Sequence, residues 1–228
     1  MFTPTLINSY ELNDTIAKIN RKMLDNAHVR AISFVGGPGT GKTALLETTL
    51  RQLAGRVRCG VIVGNLAAER DVLRLARLCA IAIPISTANL EAYQVREALE
   101  HMNLKDIDLL FIEAPSNALA PVEFGYGEHA KVALFSVAGG DDKAAEFPYL
   151  VSGASALLLN KTDLLPNVSF NLHSFRADVQ RLNPGVNLFE LSTHHPDTFR
   201  DWITWLHPAA KDHEVEPACC CLTETYLG

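Results

Sequence analysis

The octapeptide GGPGTGKT at residues 36–43 constrains the fold of this chain more than any other feature. The apolar run VRAISFV precedes it, and the segment TALLETTLRQLAG follows it with helical spacing. A strand, a glycine-rich turn and a helix in this order match the pattern G-x-x-x-x-G-K-S/T. We therefore predict a loop whose backbone N–H groups, together with the N-terminus of the helix, surround a phosphate group.

The residue types in this loop predict contacts with a nucleotide. Lys42 is expected to reach the β- and γ-phosphates, and the Thr43 hydroxyl is expected to bind Mg²⁺. A glycine-rich turn with a chance Lys-Thr pair is the alternative, and the strand before and helix after disfavour it. The predicted nucleotide-contacting residues are Gly36, Gly37, Pro38, Gly39, Thr40, Gly41, Lys42, Thr43 and Ala44.

The rest of the chain alternates short apolar runs with segments of helical period. Several of the apolar runs are apolar throughout, as in CGVIVG, DLLFI and ALLL. Such strands are typical of a mostly parallel sheet that helices cover on both faces. The sequence therefore predicts an α/β fold, a three-layer sandwich of the P-loop NTPase class.

A second motif, NKTD at 160–163, predicts which base the nucleotide carries. Asp163, placed just after a strand, can accept hydrogen bonds from guanine N1–H and from its exocyclic amine, a pair that adenine does not offer. Asn160 is expected to face the base edge, with the stem of Lys161 over the ring. The backbone of Ser192 and Thr193, at the end of the next strand, is expected to meet the guanine carbonyl. The predicted ligand is GTP or GDP.

Glu113 ends the strand DLLFIE, at the edge where such sheets hold ligands. A carboxylate there is expected to bind the Mg²⁺ shell through water. A strand-end glutamate that faces solvent is the alternative.

Composition and patterning limit the remaining possibilities. The net charge is −6, and no run of lysine or arginine indicates a nucleic-acid surface. No apolar stretch reaches the length of a membrane span, and the N-terminus lacks the pattern of a secretory signal. We expect a cytoplasmic protein in which Cys59 and Cys79 are buried, reduced core thiols.

Taken together, these motifs resemble the nickel-insertion GTPase family of nickel–iron hydrogenase maturation and, more distantly, the urease accessory GTPase. The resemblance covers about residues 15–206 and includes LLFIEAPSNALAP, SVAGGDDKAAEFPYL and ALLLNKTDLLPNVSF. GGDDK followed by a proline, and LLNKTDLLPNVSF, are more specific to the family than the phosphate loop. It implies a SIMIBI-type GTPase that hydrolyses GTP with Mg²⁺, forms GTP-dependent homodimers and delivers nickel to an apo-enzyme with partner proteins of hydrogenase maturation. The sequence pattern itself divides the chain into an N-terminal helical arm (1–27, its helix capped by Asn13 or Asp14), a GTPase domain (28–208) and a flexible C-terminal tail (209–228), which is polar and has no periodicity.

The chain departs from this family at the metal ligands. The family carries a Cys-His pair where this sequence has Ala88 and Asn89, and a further cysteine where it has Ala120. Nickel and zinc sites need thiolate or imidazole ligands. We therefore predict no nickel or zinc site at the dimer interface.

Both switch regions depart from the family as well. Asn65 replaces an acidic residue that approaches Mg²⁺, so that it is at most a weak Mg²⁺ ligand. Pro115 and Ser116 occupy the hinge after Glu113, where the family has a freer glycine. No side chain is an evident base for the attacking water, and Asp71, in the first switch, is the candidate. We expect GTP binding to survive better than turnover.

Two functions follow from this sequence. One is a slow GTPase that acts as a GTP-gated dimer switch in metalloenzyme maturation. The other is a nucleotide-binding scaffold with negligible turnover, which pairs as a heterodimer with a true nickel GTPase. The tail residues Cys219, Cys220 and Cys221 are expected to be reduced thiols of a loose end, with a metal-handling tail as the alternative. His194 and His195 are expected to be solvated loop residues near the guanine.

Overall fold

The computed structural model describes residues 9–116 and 125–206. Seven strands form one sheet in the order β3-β2-β4-β1-β5-β6-β7, and every neighbouring pair is parallel. Their bounds are β1 Arg30–Gly36, β2 Cys59–Gly64, β3 Ile81–Ile85, β4 Leu109–Glu113, β5 Ala130–Ser136, β6 Ala156–Asn160 and β7 Asn187–Glu190. The predicted α/β sandwich is confirmed, and its described sheet is wholly parallel.

Helices connect the strands and cover both faces of the sheet. Their bounds are α1 Ser9–Ala27, α2 Lys42–Leu53, α3 Ala68–Leu75, α4 Ala92–Glu100, α5 Lys143–Glu146, α6 Pro148–Ser152, α7 Leu172–Leu182 and α8 Arg200–Leu206. The helices α5 and α6 are too short for a helical period to show in the sequence. Within the described ranges, no helix is long and apolar enough to cross a bilayer.

The apolar strands supply two separate cores. Successive side chains of a strand point to opposite faces of the sheet. In β4, Leu110 and Ile112 pack on one face with α1, α4, α5, α6 and α7, whereas Leu109 and Phe111 pack on the other with α2, α3 and α8. Burial on both faces explains why these strands are apolar without alternation.

The first helix differs from the prediction at its beginning. The predicted cap is Asn13 or Asp14, but α1 already includes Ser9, and both residues lie inside the helix. The Asn13 side chain instead accepts a hydrogen bond from Ala92 N (2.8 Å) and donates one to Gly125 O (3.0 Å). A polar side chain near the start of a helix is easily taken for a cap in the sequence. Here the Asn13 side chain connects α1 to α4 and to the loop before β5.

The third helix, α3, ends at Leu75, which is fully buried, and a turn follows. Ala76, the first residue after the helix, is exposed. Cys59 is buried and Cys79 is half-buried, and burial raises the pKa of both thiols, that of Cys79 to about 11.

Candidate nucleotide-binding site

The predicted site residues meet at the carboxyl edge of the sheet. Because β1 lies between β4 and β5, the loop that follows Gly36 lies beside the end of β4 and close to the end of β6. Phe34 pairs with Glu113 across β1 and β4, and Ser136 pairs with Asn160 across β5 and β6. This strand order brings together motifs that are up to about 120 residues apart in the sequence.

Two glycines allow the phosphate loop to lie close to its neighbours. A Cβ on Gly36 would be 2.7 Å from the carbonyl oxygen of Leu134, and one on Gly41 would be 2.6 Å from Asn160 Nδ2. Gly41 also has a φ of +89°, in the left-handed region. The loop backbone is therefore tightly wound at Gly41 and closely packed at Gly36, which fits the geometry of a phosphate-binding loop.

The lysine of the loop is buried and fully bonded within the protein. Its Nζ donates to Gly36 O (2.7 Å), to Gly37 O (3.3 Å) and to Ser116 Oγ (2.6 Å), and the residue is 4% exposed. Burial lowers the pKa of Lys42 to about 8, against the opposing effect of the Glu113 charge. The contact with Ser116 was not predicted from the sequence, since a serine after a strand carries no such signal.

Thr43 and Glu113 form the candidate Mg²⁺ site. Thr43 Oγ1 donates to Glu113 Oε1 at 2.7 Å, and the second carboxylate oxygen, Oε2, is buried with no hydrogen-bond partner among the described residues. Burial raises the pKa of Glu113, while the Thr43 hydrogen bond and the Lys42 charge lower it. Glu113 is 3% exposed, so the alternative of a solvent-facing glutamate is wrong. A buried, unpartnered carboxylate oxygen beside a hydroxyl fits a hard cation such as Mg²⁺.

The first-switch residues Asn65 and Asp71 bind each other. Asn65 Nδ2 donates to Asp71 Oδ2 (3.1 Å), and Asn65 Oδ1 accepts from Ala67 N (2.7 Å) before α3 begins. The Asp71 charge contributes to raising the pKa of Glu113. Asn65 could bind Mg²⁺ only if its side-chain oxygen, Oδ1, gave up the hydrogen bond from Ala67 N. The predicted role of Asn65 as a weak Mg²⁺ ligand stays a prediction.

The side chains of Asn160 and Lys161 in the base motif both contact the phosphate loop. Asn160 Nδ2 donates to Thr40 O (2.9 Å), and Lys161 Nζ donates to Gly39 O (2.7 Å). Asn160 is 1% exposed, and its Oδ1 has no hydrogen-bond partner among the described residues, so its predicted contact with the base stays a prediction. Lys161 adopts a left-handed φ of +62°, which turns its side chain back over the loop. Both residues therefore support the loop from the base side.

Asp163 is held in place by Ser192. Ser192 Oγ donates to Asp163 Oδ1 at 2.6 Å, and this hydrogen bond is the main reason that the pKa of Asp163 is lowered. The charges of His194 and His195 lower it further, which places both exposed histidines near the carboxylate. The backbone N–H of Ser192, predicted to meet the guanine carbonyl, donates instead to Thr198 Oγ1 (3.0 Å). Thr193, the other residue predicted to make this contact, is half-buried.

A cavity of about 220 Å³ adjoins the phosphate loop on the β5 side. Gly37, Pro38 and Thr40 line it on one side, and Ser136, Gly139, Lys143 and Phe147 are among the residues that line it on the other. The segment SVAGGDDKAAEFP, which carried part of the family resemblance, supplies this second wall. The sequence marked the segment as distinctive but did not reveal that it borders the loop.

Ala88 and Asn89, which stand where the family has its Cys-His pair, lie in the turn before α4. Within residues 9–116 and 125–206, no group of three or more histidine, cysteine, aspartate or glutamate side chains could hold a metal ion. Ala120 and the three tail cysteines lie outside the described residues.

Comparison with known proteins identifies relatives of this chain. The model of the CobW/HypB/UreG nucleotide-binding domain matches residues 30–190. The chain is 33% identical over 203 residues to the hydrogenase maturation factor HypB of Escherichia coli (strain K12), covering 88% of this chain and 70% of that protein.

Solved structures show the same relationship. HypB from Archaeoglobus fulgidus has a TM-score of 0.80 at 30% identity, covering 86% of this chain and 97% of that chain. HypB from Helicobacter pylori, solved in complex with nickel, has a TM-score of 0.81 at 27% identity, covering 86% and 93%. The signal recognition particle receptor FtsY from Elizabethkingia anophelis shares the fold, with a TM-score of 0.54 at 15% identity. The chain therefore belongs to the CobW/HypB/UreG family of nucleotide-binding proteins, as a relative of the hydrogenase maturation factor HypB.

Proposed function

We propose that this protein binds GTP and GDP, hydrolyses GTP slowly with Mg²⁺, and acts as a GTP-gated dimer switch in the maturation of a hydrogenase-type metalloenzyme. The observation that carries the proposal is the arrangement of Lys42, Thr43 and Glu113 around one wound loop, with an unpartnered carboxylate oxygen beside the Thr43 hydroxyl. The maturation pathway is suggested by relatives that are named hydrogenase maturation factors.

Selectivity for guanine rests on Asp163. Its carboxyl group accepts a hydrogen bond from Ser192, which lowers its pKa further below neutral pH and fixes the position of the carboxylate. The carboxylate can then accept hydrogen bonds from guanine N1–H and from its exocyclic amine, whereas adenine would leave it unpaired. Asn160 and Lys161 stabilise the loop that holds the phosphates, so base and phosphate binding are coupled.

Binding of the triphosphate rests on the loop and on Lys42. The loop N–H groups and the N-terminus of α2 would contact the β-phosphate, and the Lys42 ammonium would hold β- and γ-phosphate oxygens. Mg²⁺, when bound by Thr43 and through water by Glu113, would supply positive charge to the phosphate oxygens. These groups stabilise the charge that develops as the γ-phosphoryl group leaves.

Slow turnover follows from the absence of a strong group for the attacking water. Asp71 is the acidic residue of the first switch, and we propose that it orients this water. Its carboxylate is already bound to Asn65, which carries no charge of its own. If the protein stabilises the charge on the γ-phosphate but holds the attacking water only weakly, hydrolysis of GTP is expected to be slow.

We further propose that GTP closes a homodimer or heterodimer and that the closed form engages hydrogenase maturation partner proteins. A relative has been solved in complex with nickel, but this chain has Ala88 and Asn89 at the family's interface ligands. A nickel titration against a competing chelator tests the point. Binding that persists when Cys219, Cys220 and Cys221 are all replaced by serine would show that the body of the protein holds nickel and contradict the proposal.

A second candidate function is a nucleotide-responsive scaffold with negligible turnover. Two observations favour it: Asn65 is bound to Ala67 and Asp71, and Ser116 occupies one donor of Lys42. Such a protein would bind GTP and GDP through the same loop and would pair with an active GTPase.

Nucleotide calorimetry tests the binding of GDP and GTP, which both functions require, and light scattering tests the GTP-dependent dimer. We expect saturable binding of GDP and of GTPγS with Mg²⁺, no measurable binding of ATPγS, and a mass close to that of a dimer with GTPγS only. Equal affinity for guanine and adenine nucleotides would contradict the assignment of Asp163. A mass that does not respond to GTPγS would contradict the dimer switch.

A further inference from the structure

Ser116 joins the end of β4 to the phosphate loop through the Lys42 ammonium. Lys42 Nζ donates to Ser116 Oγ at 2.6 Å, while its two other acceptors, Gly36 O and Gly37 O, belong to the loop itself. An ammonium has three N–H donors, so all three are used inside the protein. A phosphate oxygen can bind Lys42 only by displacing at least one of these acceptors.

The position of Ser116 is set by the residues before it. Ala114 N donates to Phe34 O (3.0 Å), which continues the pairing of β4 with β1. Pro115 restricts its own φ to a narrow range, so little freedom separates Ser116 from the sheet. One residue further back, Glu113 accepts the hydrogen bond from Thr43. Two side-chain contacts, Thr43 to Glu113 and Lys42 to Ser116, therefore connect the same two short segments.

The Ser116 hydroxyl supplies Lys42 with the kind of oxygen acceptor that a phosphate would supply. It is neutral, and Lys42 is nearly fully buried, so a phosphate oxygen is the better acceptor for this cation. A diphosphate brings fewer oxygens to Lys42 than a triphosphate does, because the lysine of this loop type reaches both β- and γ-phosphates. The β-phosphate of GDP can displace Gly37 O, the most distant acceptor at 3.3 Å, and leave the hydroxyl on Lys42, whereas the γ-phosphate of GTP competes directly with the hydroxyl.

We propose that Ser116 is a positioning residue that occupies Lys42 in the free and GDP-bound protein and is displaced by the γ-phosphate, so that it lowers the affinity for GTP relative to GDP. The contact links γ-phosphate binding to the segment after Glu113. This inference rests on the proposed function and names the residue that sets its nucleotide preference.

Calorimetry with GDP and with GTPγS, both with Mg²⁺, tests this inference. Ser116→Ala removes the competing hydroxyl, and we expect it to tighten GTPγS binding about threefold to tenfold relative to GDP. Ser116→Thr keeps a hydroxyl and is expected to retain the wild-type ratio. Ser152→Ala, at an exposed serine on α6, is the matched control and is expected to change neither affinity.

Three results separate the possibilities. Weaker GTPγS binding by Ser116→Ala would mean that the hydroxyl serves the γ-phosphate directly and would overturn the inference. If Ser116→Ala binds both nucleotides normally, has a normal melting temperature and keeps the wild-type ratio of GTPγS to GDP affinity, the inference about Ser116 is wrong but the proposed function stands. A wild-type protein that binds neither nucleotide would overturn the proposed function and this inference with it.

Discussion

Asn160 donates a hydrogen bond from Nδ2 to the carbonyl oxygen of Thr40 at 2.9 Å, which joins the base motif to the phosphate loop. Asn160 is buried, and the Cβ position of Gly41 is closed by the same amide group. The two halves of the nucleotide site are therefore a single unit, although they are 120 residues apart in the chain.

Replacement of Asn160 tests this unit. Asn160→Ala leaves the Thr40 carbonyl without its donor and opens space beside Gly41, which we expect to lower the free energy of unfolding by about 1–3 kcal/mol. GDP affinity should fall together with stability, because the loop loses its support. Urea unfolding and GDP calorimetry measure the two effects. Loss of guanine selectivity with unchanged stability would instead mean that Asn160 acts on the base alone.

Asp163 should determine which purine is bound. Asp163→Asn replaces one acceptor by an amide donor, which repels guanine N1–H and its amine but suits xanthine, whose second ring position carries a carbonyl. We expect GDP affinity to fall roughly tenfold to a hundredfold and xanthosine diphosphate to bind more tightly than GDP. Competition calorimetry measures both affinities. Equal losses of affinity for GDP and for xanthosine diphosphate would indicate a structural defect. Ser192→Ala is the control, because it removes the hydrogen bond to Asp163 but retains the carboxylate.

Nucleotide affinity should depend on pH through Lys42. Burial lowers the pKa of this lysine to about 8 in the free protein, and bound phosphates raise it. Below about pH 8 the lysine is already protonated and affinity should be flat. Above that pH, binding requires uptake of a proton, and affinity should fall towards about tenfold per pH unit.

The measurement is GDP affinity between about pH 7 and about pH 9, on either side of the Lys42 pKa. Lys42→Arg is the matched variant, because a guanidinium stays protonated throughout this range. If the wild type and Lys42→Arg lose affinity in parallel, the pH dependence does not come from Lys42.

The first helix should contribute to stability through Asn20. This side chain is fully buried, and its Nδ2 donates both to Ala92 O (2.8 Å) and to Tyr126 O (2.9 Å). Asn20→Ala leaves two carbonyl groups without a donor, and we expect a loss of about 2 kcal/mol in the free energy of unfolding. Urea denaturation is the measurement, with the exposed Asn103→Ala as control. Equal stability of the two variants would mean that α1 is only loosely attached.

The sequence predicted the strands and the phosphate loop well, for physical reasons. A strand buried on both faces must be apolar throughout, and the loop glycines are required by backbone geometry, so both leave a direct mark in the sequence. The proximity of Thr43 and Glu113 also followed, because a parallel sheet brings the carboxyl ends of its strands to one edge.

The orientation of individual polar side chains was harder to predict. Asn13 and Asn160 each bind a backbone group more than 75 residues away in the chain, and neither contact was predicted. Such partners depend on strand order and register, which single motifs do not contain. Ser116 is a third example, because its contact with Lys42 arises only once β4 lies next to β1.

Single-turnover hydrolysis tests the central claim most directly. Excess protein is mixed with radiolabelled GTP, with Mg²⁺ or with EDTA, and phosphate release is followed for the wild type and for Lys42→Ala. We predict slow release, on the order of 10⁻³ s⁻¹ or below, that requires Mg²⁺ and disappears in Lys42→Ala. Tight GTP binding without phosphate release, or release that persists in Lys42→Ala, would contradict the assignment of this site as a GTPase.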